Sequence, residues 1–121
     1  MATSTIKMDN TFSEVTGITW NSTYVSTSDT NNRIKCYRSG NIIQLGGEFQ
    51  AIAAMSQSEV IIATGVPRGI NNTATQFVGE IVTQSKPIML NVDASGRLKT
   101  YYGGAIAAND RVRFSALYAS T

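Results

Sequence analysis

Alternation with a period of two, bounded by turn residues, most constrains what this chain can fold into, and it is clearest across residues 33–49 (RIKCYRSGNIIQLGGEF). Ile34 and Cys36 alternate with Lys35 and Tyr37, Ser39-Gly40-Asn41 supplies a reversal, and Ile43, Leu45 and Phe49 continue on the return. Successive strand side chains point to opposite faces, so a segment of this pattern buries one face as an antiparallel hairpin. Gly46-Gly47 within it marks a bulge or a close backbone approach.

The same grammar recurs along the chain. Residues 17–25 (GITWNSTYV) are rich in β-branched and aromatic residues and predict one or two strands, followed by a polar loop over 26–32. Residues 51–57 (AIAAMSQ) carry helical propensity but are too short for a packed helix, so a loop or single turn is expected. Val60–Thr64 reads as a buried strand that stops at Gly65 and Pro67. In residues 76–83 (QFVGEIVT), Phe77, Gly79 and Ile81 share one face and Val78, Glu80 and Val82 the other. Both faces are largely apolar, as in a central strand or one covered by a neighbouring subunit. A strand over 88–92 leads to the turn Asp93-Ala94-Ser95-Gly96, with Asp first and Gly fourth as a type I turn favours, and a strand over 97–102 returns. After Gly103-Gly104, residues 111–118 (RVRFSALY) alternate once more. About eight or nine short strands with turn signals between them, and no convincing helix, predict an all-β antiparallel sandwich or jelly roll.

At 121 residues the chain fits one domain with a modest core. Residues 1–15 are polar and aperiodic and read as an N-terminal arm or linker that pairs with a neighbour, or as a frayed terminus; the head domain is 16–121. Charged residues are only 15%, and Ser, Thr and Asn are abundant, which suits an extracellular or virion β domain. The ten basic residues are scattered and the net charge is +2, so no nucleic-acid surface is expected. The single cysteine, Cys36, cannot form an intrachain disulfide and reads as a small buried hydrophobe. There is no histidine, hence no Ser-His-Asp triad, Cys-His pair or His-based metal site, and no cofactor is expected. The start MATSTIKMDN lacks the basic and apolar regions of a signal peptide, and no segment has the length of a membrane span. The expectation is synthesis in a bacterial cytoplasm and no membrane partner.

The order of these pieces resembles the C-terminal head domain of receptor-binding proteins from tailed phages of Gram-positive bacteria, the lactococcal siphophage baseplate proteins among them. The matching pieces are Cys36-Tyr37-Arg38-Ser39-Gly40-Asn41-Ile42-Ile43 leading to Leu45-Gly46-Gly47-Glu48-Phe49, the Val66-Pro67-Arg68 corner, and Phe77-Val78-Gly79-Glu80-Ile81-Val82. A strand, an Asp-x-Ser-Gly turn and an aromatic last strand complete the pattern, which covers about residues 16–118. Longer family members carry a shoulder or stalk and in some cases a saccharide-contacting histidine, neither of which is present here.

The resemblance implies a homotrimeric head on a phage tail, attached to other tail or baseplate proteins. It would bind a host cell-wall or surface polysaccharide without enzymatic activity, in clefts between subunits. Such sites stack sugar C–H groups on aromatic rings and bind hydroxyls with amides, carboxylates and Arg. The stacking candidates are Trp20, Tyr101 and Tyr102; the polar candidates are Glu48, Asn71, Asn72, Gln76, Asp93 and Arg97. Trp20 is more often a core or interface anchor than a ligand platform, Asp93 is first of all a turn residue, and the Asn pair is first of all a loop. Strand alternation turns one of Tyr101 and Tyr102 inward and the other outward. Two further readings stand beside this one. The first is a purely structural tail or capsid-decoration protein. The second is a glycan hydrolase, for which Glu48 and Glu80 are the only carboxylate pair worth testing.

Overall fold

A computed structural model of the chain describes residues 11–55, 59–102 and 105–121, with the side chain of Tyr102 left aside. The fold is all-β, as the alternation requires. Nine strands follow in the order β1 (Ser13–Glu14), β2 (Thr19–Trp20), β3 (Lys35–Ser39), β4 (Ile42–Gln50), β5 (Val60–Thr64), β6 (Thr75–Ile81), β7 (Lys86–Val92), β8 (Leu98–Tyr102) and β9 (Arg111–Ala119). Short 3-10 turns occupy Ile70–Asn72 and Val82–Gln84. All pairings are antiparallel, and the strands form one curled sheet in the order β1-β3-β4-β9-β6-β7-β8-β5-β2.

The curl turns one sheet into a sandwich-like body, and its hinge is the seam between β9 and β6. Those strands pair only at Glu80↔Arg113 and Ile81↔Val112, whereas β4 and β9 stay paired from Ile42↔Ala119 to Gln50↔Arg111. Beyond the seam the interior faces of the two halves meet, with Phe77 and Phe114 ring centroids 5.3 Å apart. Gly79 makes the crossing possible. A Cβ there would lie 2.7 Å from the Arg113 carbonyl and 2.8 Å from a Leu90 methyl. Gly47 plays the same part beside Arg33, whose carbonyl a Cβ would strike, which accounts for the close approach expected at Gly46-Gly47.

Turn chemistry fixes the registers. Gly40, at the first position of the two-residue β3–β4 turn, has φ 57°, the left-handed value such hairpins use. The Asp93 to Gly96 turn closes with Gly96 N–H donating to the Asp93 carbonyl at 3.0 Å. Trp20 ends a strand of only two residues because Asn21 diverts the backbone. Its side-chain amide donates to the Ile61 carbonyl at 2.9 Å, and its Oδ1 accepts the Thr23 N–H at 3.1 Å. Such local side-chain bonds compete with a ladder. Ser13–Glu14, within the expected arm, pairs with Arg38 and Tyr37 of this chain's own β3; residues 1–10 lie outside the described part.

Inward-facing residues of both halves make one core. Val25, Ile43, Phe49, Ile62, Ile81, Leu90, Val92, Leu98 and Val112 are fully buried. Each contributes roughly 1.5–3 kcal/mol relative to exposure. Cys36 lies in this core, and burial pushes its thiol pKa up to about 11. The buried Tyr118 hydroxyl donates to the Pro67 carbonyl at 2.7 Å, tying the end of β9 to the Pro-Arg-Gly corner.

Candidate functional site

Interior parity sets up an unusual end to the sandwich. Arg38 pairs with Ile43 and so points, like Cys36 and Ile43, to the interior side of its strand. Ser120 follows Tyr118 on the interior side of β9. The two polar groups meet there, Arg38 Nη2 donating to Ser120 Oγ at 2.9 Å. They form the floor of a cleft of about 330 Å³ whose other walls are Gly65, Val66, Pro67, Arg68 and Asn72 from the β5–β6 connection, Ser95 and Gly96 from the β7–β8 turn, and Thr121.

Local chemistry holds these walls in place. Val66 N–H donates to the Gly96 carbonyl at 3.0 Å, locking the two loops together. Gly96 has φ 79°, and a Cβ there would stand 2.6 Å from the Val66 carbonyl. Asn71 and Asn72 both adopt left-handed backbone, φ 58° and 56°, a costly pair outside glycine. Asn71 N–H donates to Thr121 Oγ1 at 2.7 Å, and Gly69 bridges to Ser120, so the C-terminal residues carry the rim.

The cleft is polar and cationic. It holds two guanidiniums, an amide and three hydroxyls, and no Asp or Glu side chain lines it. Asp93 belongs to the same turn as Ser95 but its carboxylate is engaged elsewhere. Oδ1 accepts the Ser95 and Arg97 N–H groups at 2.9 and 3.0 Å, while Oδ2 meets Arg97 Nε at 2.7 Å and Lys99 Nζ at 3.1 Å. Burial works against the ionised carboxyl, yet these donors outweigh it and hold the Asp93 pKa down to about 2. Lys99 also meets Glu59 at 2.5 Å; that bond, opposed by burial and joined by Asp93, raises its pKa. Two cations and two carboxylates close this cluster on itself, and neither carboxylate forms an ion pair with Arg38 or Arg68.

A second concavity, an open groove of about 640 Å³, lies on the outer face where β4 and β9 diverge from β6. Gly47, Gly79 and Phe114 line it along with Arg33, Glu48, Val78, Glu80, Arg113 and Ser115. Glu48 and Glu80 face outward on either side of Arg113. Glu80 pairs with Arg113 at 2.9 Å and Glu48 with Arg111 at 3.2 Å, so each carboxylate is held by a guanidinium. Val78 and Leu117, 62% and 71% exposed, stand on this same outer face.

The residues singled out in the sequence fall in several places. Asn72 lines the cleft and Asn71 ties its rim, while Asp93 and Arg97 clamp the turn that supplies Ser95 and Gly96. Glu48 belongs to the outer groove. Gln76 is exposed on β6 opposite Asn91. Trp20 is half-buried on β2 against the core, and Tyr101 is half-buried on β8 with Tyr102 beside it in the same strand. Trp20, Tyr101 and the polar candidates therefore do not form one constellation in a single chain; the ring of Tyr102 lies outside the described part. Arg38, Arg68, Ser95, Ser120 and Thr121 were not singled out; the signal available was Arg68 beside Pro67 and Arg38 at an interior parity position.

Among the described residues no group of three or more Cys, Asp or Glu side chains could hold a metal ion. Searches against protein-family models and against curated proteins return no match for this chain.

Proposed function

We propose that this chain is a non-enzymatic glycan-recognition head of a phage or prophage tail, working as a homotrimer displayed on the virion. The observation that carries the reading is the loop-end cleft. It offers guanidiniums, hydroxyls and an amide for sugar hydroxyls, in a volume suited to a monosaccharide unit. Glycosidic hydrolysis needs a facing pair of carboxylates, one of them an acid held protonated. No Asp or Glu side chain lines the cleft, and Glu48 and Glu80 are each ion-paired to arginine, which favours binding over cleavage. A weak single site gains avidity by repetition on a trimer and on many copies per particle.

The test is binding of the full chain to cell-wall polysaccharides of candidate Gram-positive hosts, measured together with solution mass. Retention on a host polysaccharide without release of reducing ends supports the reading; failure to bind any of them removes it.

The exposed Val78 and Leu117 favour a second reading, a structural tail or decoration protein whose outer face docks onto the particle. Trimerisation and particle docking without glycan binding would select it.

A further inference from the structure

We infer that the cleft between Arg38 and Arg68 is an oxyanion site, so that the glycan recognised carries a phosphate or carboxylate group; this rests on the glycan-binding reading above. Lys35, Arg97, Lys99, Arg111 and Arg113 each have a carboxylate within ion-pair distance. Arg33, Arg38, Arg68 and Lys86 have none among the described residues, and of these Arg38 and Arg68 line one concavity to which no Asp or Glu side chain contributes. The protein as a whole is nearly balanced, at +2, so this is a local excess rather than a general basic character.

Position sharpens the point. Arg38 stands on the interior side of β3, half-buried, at a parity that its neighbours Cys36 and Ile43 fill with apolar groups. A guanidinium there gives up hydration, and Ser120 Oγ accepts only one of its five N–H donors. Arg68 is exposed across the opening and reaches the same space. Two planar cationic forks flanking hydroxyls match an oxyanion attached to a polyol, because charge-assisted bonds to arginine are stronger and more directional than those to a neutral hydroxyl. All the groups come from one chain, so this site needs no second subunit to complete it.

The test is a titration of the ¹⁵N-labelled full chain, by amide chemical shifts, with glucose 1-phosphate, glucuronate, methyl glucoside and inorganic phosphate. The expected result is that the two charged sugars shift the amides of Gly65, Gly96, Ser120 and Thr121. Each should bind about tenfold or more tightly than methyl glucoside. Their affinity should fall as salt rises and drop about tenfold in Arg68→Gln, an exposed change that spares the fold. Arg38→Gln should do the same, with an unchanged amide spectrum elsewhere as the folding control. Equal binding of methyl glucoside, or insensitivity to Arg68→Gln, overturns the inference and leaves the glycan reading standing. Binding of inorganic phosphate as tight as that of glucose 1-phosphate overturns it too, since the sugar then adds nothing. If none of the probes shifts the cleft while host polysaccharide still binds, the oxyanion site is wrong and glycan recognition lies elsewhere. If polysaccharide binding also fails, the glycan reading goes with it.

Discussion

Asp93, a saccharide candidate read first of all as a turn residue, serves the stability of its turn. It accepts two backbone N–H groups of its own turn and two cationic side chains from Arg97 and Lys99. Its folded pKa of about 2 is below the ordinary 3.8, so its contribution is fully present above about pH 4 and is lost as pH falls through about 2. Asp110 acts in the same sense. Burial opposes its ionised form, but the Thr83 hydroxyl, the Ala107 N–H and the Gln84 amide lower its pKa. Lys99 has the opposite sign: its raised pKa means stability present below 10.5 and lost as pH rises through the folded value. The thermal midpoint should therefore be flat near neutrality and fall at both extremes. Asp93→Asn should lower stability at pH 7 by about 1 kcal/mol, a value discounted for the exposure of Arg97, and should flatten the acid limb. An acid limb of unchanged steepness in that variant would reject the assignment.

Gly96 is the residue on which the cleft geometry depends. With φ 79° and no room for a Cβ beside the Val66 carbonyl, Gly96→Ala should cost about 1–3 kcal/mol in chemical denaturation. It should also displace the Ser95 wall of the cleft, visible as local amide shifts.

Among the elements, the β9–β6 seam decides the architecture. β9 alternates exposed and buried residues from Arg111 through Tyr118, and it pairs fully with β4 on one side but with only the end of β6 on the other. A sheet that stayed in register there would be flatter and would expose Phe77 and Phe114 to solvent. Gly79→Ala places a methyl against the Arg113 carbonyl and the Leu90 side chain, so it should destabilise by about 1–3 kcal/mol as overpacking does. Denaturant titration reads this directly, and a neutral result would show that the crossing can relax. The strands most legible in the sequence were β3, β4, β5 and β9, whose alternation or apolar run is bounded by Gly or Pro. β1 was not, because it falls in the segment read as an arm. β2 lies within residues 17–25, where one or two strands were expected, but spans only two residues, since such short pairing is decided by what lies alongside. At β2 the decisive group is Asn21, whose backbone N–H still reaches the Ile62 carbonyl while its side chain turns the chain away through the Ile61 carbonyl and the Thr23 N–H.

For the whole molecule, the outer face is the open question that assembly answers. Val78 and Leu117 are large, exposed and on one side of the sheet, beside the paired charges of Glu48, Arg111, Glu80 and Arg113. A chain of 13.0 kDa that closes into a threefold ring should elute with a light-scattering mass of about 39 kDa. A mass of one chain at micromolar concentration would count against the trimeric head, while leaving the single-chain cleft intact.

The sequence by itself determined the all-β class, most strand positions, the two tight turns and the burial of Cys36, because period-two alternation and turn residues act locally. It determined the facing of most strand side chains and the hairpin partners β3–β4 and β7–β8, but not which strands distant in sequence would be neighbours. Arg38 and Ser120 are 82 positions apart and meet only because β3, β4 and β9 lie side by side. Arg68 and Ser95 join them through loops locked by a Val66–Gly96 hydrogen bond. A binding cleft built from strand ends and loops is a product of sheet order, and sheet order rests on non-local pairings that no stretch of the chain records on its own.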